Sequence, residues 1–142
     1  MNPTRTLLAA CLLAGCAPAM HPGVTPDPQR PFIGSWQGRG EQSDDPTGWS
    51  IAATIAGGEV GAVVGTITYP SLSCGGELVL RRVGQDGMEL REHITHGRCV
   101  DQGIINLAVR PGGWLAFDWR TEADGATARG QLAPARAPAP SP

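Results

Sequence analysis

The chain has 142 residues and a formal net charge of −2, with 11 basic residues, all of them arginines, against 13 acids. A mildly acidic chain without a basic run is a poor match for a nucleic-acid partner, which we therefore exclude. Residues 32–133 have the usual size of one domain with a single hydrophobic core.

The first predicted element is an apolar segment that starts at Leu7, follows the positive charge of Arg5 and ends in Leu13-Ala14-Gly15-Cys16. At about ten residues it is too short to cross a bilayer core of about 30 Å as a helix. Its end resembles the lipobox of bacterial lipoproteins. The resemblance implies that residues 1–15 are a signal peptide and that Cys16 receives the acyl chains. An ordinary secretory signal or a buried helix is the alternative.

The residues around this segment extend the prediction to a location. Ala17 follows the cysteine where an Asp would suggest retention in the inner membrane, so the resemblance implies a lipid anchor in the outer membrane, facing the periplasm. Residues 16–31 are rich in proline and without apolar periodicity, which predicts an extended tether. Residues 134–142 form a Pro/Ala tail that we expect to be disordered.

The remaining cysteines predict a disulfide. Cys11 leaves with the signal peptide and Cys16 is the lipid site, so Cys74 and Cys99 are the available pair in an oxidising compartment. A metal site would need further ligands at fixed spacing, and the redox motif Cys-x-x-Cys is missing. We therefore expect a structural bridge.

Residues 32–133 have no helical periodicity, and their pattern predicts an all-β fold. Runs rich in Val, Ile, Thr and Trp alternate with turn clusters of Gly, Pro and Asp. These runs predict eight strands, over residues 33–41, 48–56, 60–69, 76–83, 88–96, 103–109, 114–121 and 126–133. Because every link is short, successive strands should be antiparallel neighbours. We predict an eight-stranded antiparallel up-and-down barrel, with a β-sandwich as the alternative.

Three segments also resemble a known kind of domain. They are Gly34-Ser35-Trp36-Gln37-Gly38, residues 65–78 (GTITYPSLSCGGEL) and residues 90–99 (LREHITHGRC). Together they are similar to a small extracytoplasmic bacterial β-domain, found in secreted or lipid-anchored proteins and in the outer portions of some actinobacterial serine/threonine kinases. The resemblance implies a disulfide-tied β-barrel without an assigned enzymatic activity. The opening Gly-x-Trp also resembles the first strand of lipocalin-like and avidin-like barrels.

Strand periodicity places one acid inside the barrel. Glu92 is in phase with Met88 and Leu90, and a buried carboxylate must be paired, hydrogen-bonded or protonated. The expected register of the hairpin brings Arg82 within reach, so we predict an interior pair of Arg82 with Glu92. A solvated rim position and a functional group in a pocket are the alternatives. The same periodicity predicts an inward Asp118.

Other titratable groups give no catalytic pattern. His93 and His96 are three residues apart on one strand and should face opposite sides, so we predict no metal site. No serine or cysteine has a recognisable base beside it. The sequence therefore predicts a protein that is not an enzyme and has no cofactor.

The best candidate for a binding surface is the loop between the third and fourth strands. Proline and the predicted disulfide stiffen it, and a preorganised loop loses little entropy on docking. It comprises Pro70, Ser71, Leu72 and Ser73. We predict a module that binds an envelope protein, for example as an inhibitor of an envelope enzyme.

The alternative function is the binding of a small apolar ligand inside the barrel. Many interior positions carry large apolar side chains, and we expect them to fill the interior. A cavity of about several hundred Å³ lined by Trp36, Trp49 and Trp114 would instead favour the ligand.

Overall fold

The structure is a computed structural model that describes residues 22–136. The predicted signal peptide (1–15), the lipid site Cys16, the start of the tether and residues 137–142 of the tail lie outside the described residues. Within residues 22–136, no helix is long and apolar enough to cross a membrane.

The domain is a closed barrel of eight antiparallel strands in sequence order, which confirms the predicted fold. Each strand pairs with its neighbours in the chain, and the last strand pairs with the first. The strands are β1 (Gly34–Gln42), β2 (Asp45–Ile55), β3 (Val63–Tyr69), β4 (Cys74–Gly84), β5 (Gly87–His96), β6 (Ile104–Arg110), β7 (Trp114–Arg120) and β8 (Thr127–Pro134).

The strand bounds differ from the prediction mainly at the start of β2, which begins at Asp45 rather than Gly48, and at the start of β3. The predicted third strand begins at Val60, whereas β3 begins at Val63. Val60 is 66% exposed, and the backbone N–H of Gly61 donates to Leu80 O at 2.7 Å, outside the β2 to β3 ladder. A β-branched residue therefore extended the sequence pattern into a loop, because composition alone does not distinguish the two.

Alternation along the strands builds the core. On β2, Ile51, Ala53 and Ile55 are buried and Trp49 packs against the core. Large fully buried side chains come from every part of the barrel, among them Ile67, Leu78, Leu80, Leu90, Ile105, Leu115, Phe117 and Leu132. Burial of this apolar surface is the main stabilising contribution to the fold.

One end of the barrel is closed by the segment that leads into β1. This segment forms a 3-10 turn (Arg30–Phe32) in which Phe32 is 3% exposed. The indole N–H of Trp36 donates to Phe32 O at 2.8 Å. The side chain of Gln29 exchanges two hydrogen bonds with the backbone of Gly58, in the β2 to β3 loop. These contacts hold the turn across the end at which β1 begins, which we call the closed end.

The predicted disulfide lies at the opposite, open end. Cys74 begins β4 and Cys99 lies in the loop between β5 and β6, with a Cα to Cα distance of 5.9 Å. The bridge ties this loop to the start of β4. In the chain-entropy model, closing a loop of this length stabilises the fold by about 3.5 kcal/mol.

Candidate functional site

The open end of the barrel contains a cavity of about 450 Å³. Its walls come from the strand ends and loops on the β1 to β2, β3 to β4, β5 to β6 and β7 to β8 connections. Four aromatic side chains line it, Trp49, Tyr69, Phe117 and Trp119. The cavity is open to solvent at the mouth, and Tyr69, Glu92 and Phe117 at its inner wall are only 1 to 5% exposed, so side chains fill the barrel below them.

The rim of this cavity carries both apolar and charged side chains. Leu72 and Val100 are about half-exposed, at 50% and 54%, in the two loops that flank the disulfide. Asp45, Asp124 and Arg98 add charged side chains to the lining.

Glu92 contributes the only acid in the wall that is buried, at 1% exposure, among residues 22–136. The hydroxyl of Tyr69 donates to Oε2 at 2.7 Å, and the indole N–H of Trp119 donates to Oε1 at 2.6 Å. The backbone N–H of Glu92 donates to Gly103 O at 2.9 Å. Strands β3, β5 and β7 thus hold one carboxylate between two aromatic donors.

Competing effects set the protonation of this group. Burial raises the pKa of Glu92, and the nearby charge of Asp101 raises it further, while the hydrogen bonds from Tyr69 and Trp119 lower it. The balance leaves the pKa of Glu92 above its ordinary value of 4.5. Burial, with the charge of Glu92, raises the pKa of Tyr69 well above 10.0, so Tyr69 remains a hydrogen-bond donor at neutral pH.

Gly103 fixes the position of this cluster by close approach. A Cβ at Gly103 would overlap both Trp119 Nε1 and Glu92 Oε1. Only glycine leaves room for the indole to reach the carboxylate, so Gly103 is a positioning residue for the wall of the cavity.

The predicted pair of Arg82 with Glu92 is wrong. The hairpin turns one residue more tightly than expected, with Gly84 opposite Gly87, and a bulge between Leu80 and Arg82 then shifts the register. The bulge places Arg82 on the outer face, where its side chain is 77% exposed. Glu92 is interior as predicted, but without this partner.

The outer face instead carries other ion pairs. Glu89 accepts contacts from three guanidinium groups at 3.6 to 3.7 Å, those of Arg81, Arg82 and Arg120. Asp118 also points outward and pairs with Arg129 at 3.4 Å, contrary to its predicted inward position. The buried residues of β7 are Leu115 and Phe117, the opposite phase to the one predicted.

The predicted partner loop lies on the rim of the cavity. Pro70, Ser71 and Leu72 form a 3-10 turn, which Ser73 ends in the left-handed region at φ 53°. Ser71 and Ser50 exchange two hydrogen bonds, backbone N–H to side-chain oxygen in each direction, at 2.9 and 3.0 Å. The loop is therefore rigid and presents Leu72 at the mouth.

The histidines lie away from the cavity. His93 is exposed on the outer face beside Asp101, with a distance of 3.4 Å from Nδ1 to Oδ1. Within the described part of the chain, no group of three or more His, Cys, Asp or Glu side chains is arranged to hold a metal ion.

Sequence reasoning missed most of the aromatic wall. Of the three tryptophans that we named as a lining that would favour a ligand, Trp49 lines the cavity, Trp36 lies at the closed end and Trp114 begins β7 at that same end. Trp119 lines the cavity instead of Trp36 and Trp114, because the inward-facing residues of β7 are the ones that we predicted to face outward. An alternation of Leu115, Phe117 and Trp119 was the available sequence pattern for the correct phase.

Comparisons of the chain with family models, with curated proteins and with solved structures found no significant match.

The buried carboxyl generates a prediction on stability against pH. Glu92→Gln keeps the side-chain shape and both hydrogen bonds, once the Tyr69 hydroxyl rotates to accept, but it cannot ionise. Because the pKa of Glu92 is raised on folding, the folded wild type binds the proton more tightly than the unfolded chain. This tighter proton binding stabilises the folded wild type at low pH. The stabilisation is lost as the pH rises from 4.5 through the pKa of Glu92 in the folded state.

We therefore expect the free energy of unfolding of Glu92→Gln, relative to wild type, to rise across this window by at most about 1.4 kcal/mol per pH unit. Above the folded pKa it should level off. Urea unfolding at a series of pH values measures this. Glu77→Gln, on the outer face of β4, is the matched control. A Glu92→Gln difference that stays constant or falls with pH contradicts the prediction.

Proposed function

We propose that the domain is a binding module that takes a small, largely apolar ligand into the cavity at its open end. The observation that carries this proposal is the cavity of about 450 Å³ with four aromatic residues in its wall. Ligand pockets commonly have about 300 to 1,000 Å³, with apolar walls and few polar groups. The polar groups here are concentrated at Glu92 and its two donors.

The rigidity of the mouth supports the proposal. The disulfide holds the loop after β5, and the two hydrogen bonds of Ser50 and Ser71 hold the loop before β4. A preformed site loses little conformational entropy when a ligand binds. The exposed apolar rim at Leu72 and Val100 extends the apolar wall towards solvent.

We place this module in the cell envelope, anchored through acyl chains on Cys16 and facing the periplasm. The tether enters the barrel at the closed end, through the turn at Arg30–Phe32. The cavity therefore opens on the side away from the tether, where an anchored domain would meet solutes or partners.

A second candidate function, binding of an envelope protein, rests on the loop of Pro70 to Ser73. Leu72 is half-exposed at the tip of a loop that internal hydrogen bonds hold rigid. A rigid apolar side chain at a rim is the kind of anchor that protein interfaces use.

The ligand function predicts the effect of filling the cavity. Ala126 lies in the lining, so Ala126→Trp should weaken binding of the neutral fluorescent probe N-phenyl-1-naphthylamine by about tenfold or more, about 1.4 kcal/mol. Ala133→Trp, on the exposed face of β8, is the control and should bind like wild type. Equal binding by both variants, or no binding by wild type in a fluorescence titration, refutes the proposal.

The partner function predicts a crosslink from one end of the barrel only. A photoreactive amino acid at Leu72 should capture a discrete envelope protein in intact cells, because the loop is exposed and rigid. Val109 is the matched control, with 46% exposure against 50% for Leu72, and lies at the closed end. Identical crosslinking patterns from the two sites, or none from Leu72, count against a partner at this loop.

The proposed lipid anchor predicts that loss of Cys16 moves the protein from the membrane fraction to the soluble fraction. Cys16→Ser should abolish acylation and release the domain from the membrane fraction, because the acyl chains supply the membrane affinity. Palmitate labelling and sedimentation of envelopes measure both effects. A variant that still sediments with outer membranes contradicts the lipid anchor.

A further inference from the structure

The wall of the cavity holds a buried carboxyl group, that of Glu92, which has no cation beside it in the described part of the chain. Among residues 22–136, no arginine or histidine lies within ion-pair distance of Glu92. A carboxylate offers about four acceptor positions, and Tyr69 and Trp119 use two of them. Taking a carboxylate out of water costs free energy, which the two hydrogen bonds offset in part and a cation beside it would offset further.

The surroundings of this carboxylate are aromatic. Trp49, Phe117 and Trp119 line the same cavity together with Tyr69, the chain's only tyrosine. The electron-rich faces of such rings attract organic cations, most strongly where water is excluded. Aromatic walls around an unpaired carboxylate form the chemistry that recognises ammonium groups.

We infer that the ligand of this cavity carries a positively charged nitrogen, an ammonium or a guanidinium, on an apolar body, and that this nitrogen binds at Glu92. The inference rests on the proposed ligand function and specifies the class of ligand. The nitrogen would donate to the free acceptor positions of the carboxylate, while the body fills the aromatic part of the cavity. The pair would be a charge-assisted hydrogen bond shielded from water.

The other charges around the cavity fit the same ligand class. Asp45 and Asp124 add negative charge at the rim, and Asp101 lies close enough to Glu92 to affect its protonation. Arg98 is the single cation of the lining, and it is exposed. Tyr69 of β3 and Trp119 of β7, which reach Glu92 across the barrel interior, present neutral donors.

An anionic ligand, such as a fatty carboxylate with its head at Arg98, is the competing class. With its head at Arg98, the apolar tail of such a ligand would have to fill a cavity whose inner wall holds Glu92. With its head inside the cavity, the ligand carboxylate would be repelled by the carboxylate of Glu92 in a poorly screened environment. Arg98 would attract it only at the solvent-exposed rim, where an ion pair contributes little. The observations therefore favour the cation.

The test compares three naphthalene compounds of similar size in displacing N-phenyl-1-naphthylamine, at a series of pH values up to about pH 8, where the amine is still protonated. They are 2-(1-naphthyl)ethylammonium, the neutral 1-propylnaphthalene and the anionic 3-(1-naphthyl)propionate. We expect the ammonium to bind about tenfold or more tighter than the neutral compound, and the anion to bind weakest.

Two variants locate the charge effect. Glu92→Gln should remove the advantage of the ammonium over 1-propylnaphthalene, since it keeps the shape and the hydrogen bonds of the side chain but not its charge. Glu77→Gln removes an equal charge from the outer face and should retain the advantage. In wild type, the advantage should also shrink as the pH falls through the pKa of Glu92, because the carboxylate takes up a proton. This measurement is independent of how the Glu92 variant folds.

The outcomes separate the two proposals. If the naphthylamine probe itself does not bind wild type, the ligand function fails. If the probe binds but the ammonium displaces it no better than the neutral compound, or the anion displaces it best, the ligand function stands and the cation is refuted. An ammonium advantage that survives in Glu92→Gln, or that is constant with pH, also refutes the role of Glu92.

Discussion

Closure of the sheet between β1 and β8 is the constraint on which the other features depend. β1 pairs with β2 on one side and with β8 on the other, so the sheet has no free edge and its inward side chains enclose a volume. The closure requires close approach of the backbones, since a Cβ at Gly38 would overlap Gln131 O. Once the cylinder is closed, each end must be covered by loops or remain open, and the two ends differ in this respect.

The difference between the ends determines where binding can occur. At the closed end, Phe32 of the 3-10 turn covers the core, and the indole N–H of Trp36 donates a hydrogen bond to the backbone oxygen of Phe32. At the open end, the disulfide and the hydrogen bonds of Ser50 with Ser71 hold loops around the opening rather than across it. The rigid loops that stabilise the fold therefore also keep the cavity open, whereas flexible loops would fold into it and fill it.

The parts of this arrangement that sequence could predict are those set by local patterns. Alternation with short turns predicted eight antiparallel strands, the count of cysteines predicted the bridge of Cys74 with Cys99, and the phase of β5 placed Glu92 inside. The predictions for Arg82 and Asp118 were wrong because each depends on the strand register to within a single residue. The bulge before Arg82 moved that side chain outward, and the phase of β7 reversed Asp118. A slip of one residue exchanges the faces of a strand, and composition does not reveal it.

The partners of Glu92 illustrate why the site itself was beyond sequence reasoning. Tyr69, Trp119 and Gly103 come from β3, from β7 and from the loop before β6, and only barrel closure brings them to one carboxylate. An internal arginine would have neutralised this acid and made it a structural ion pair, with nothing left for a ligand to contribute. With Arg82 outside, the two neutral donors hold the carboxylate without cancelling its charge. Among residues 22–136, the core thus keeps a carboxyl group without a cation partner at the open end of the barrel, and a cationic ligand would supply that partner.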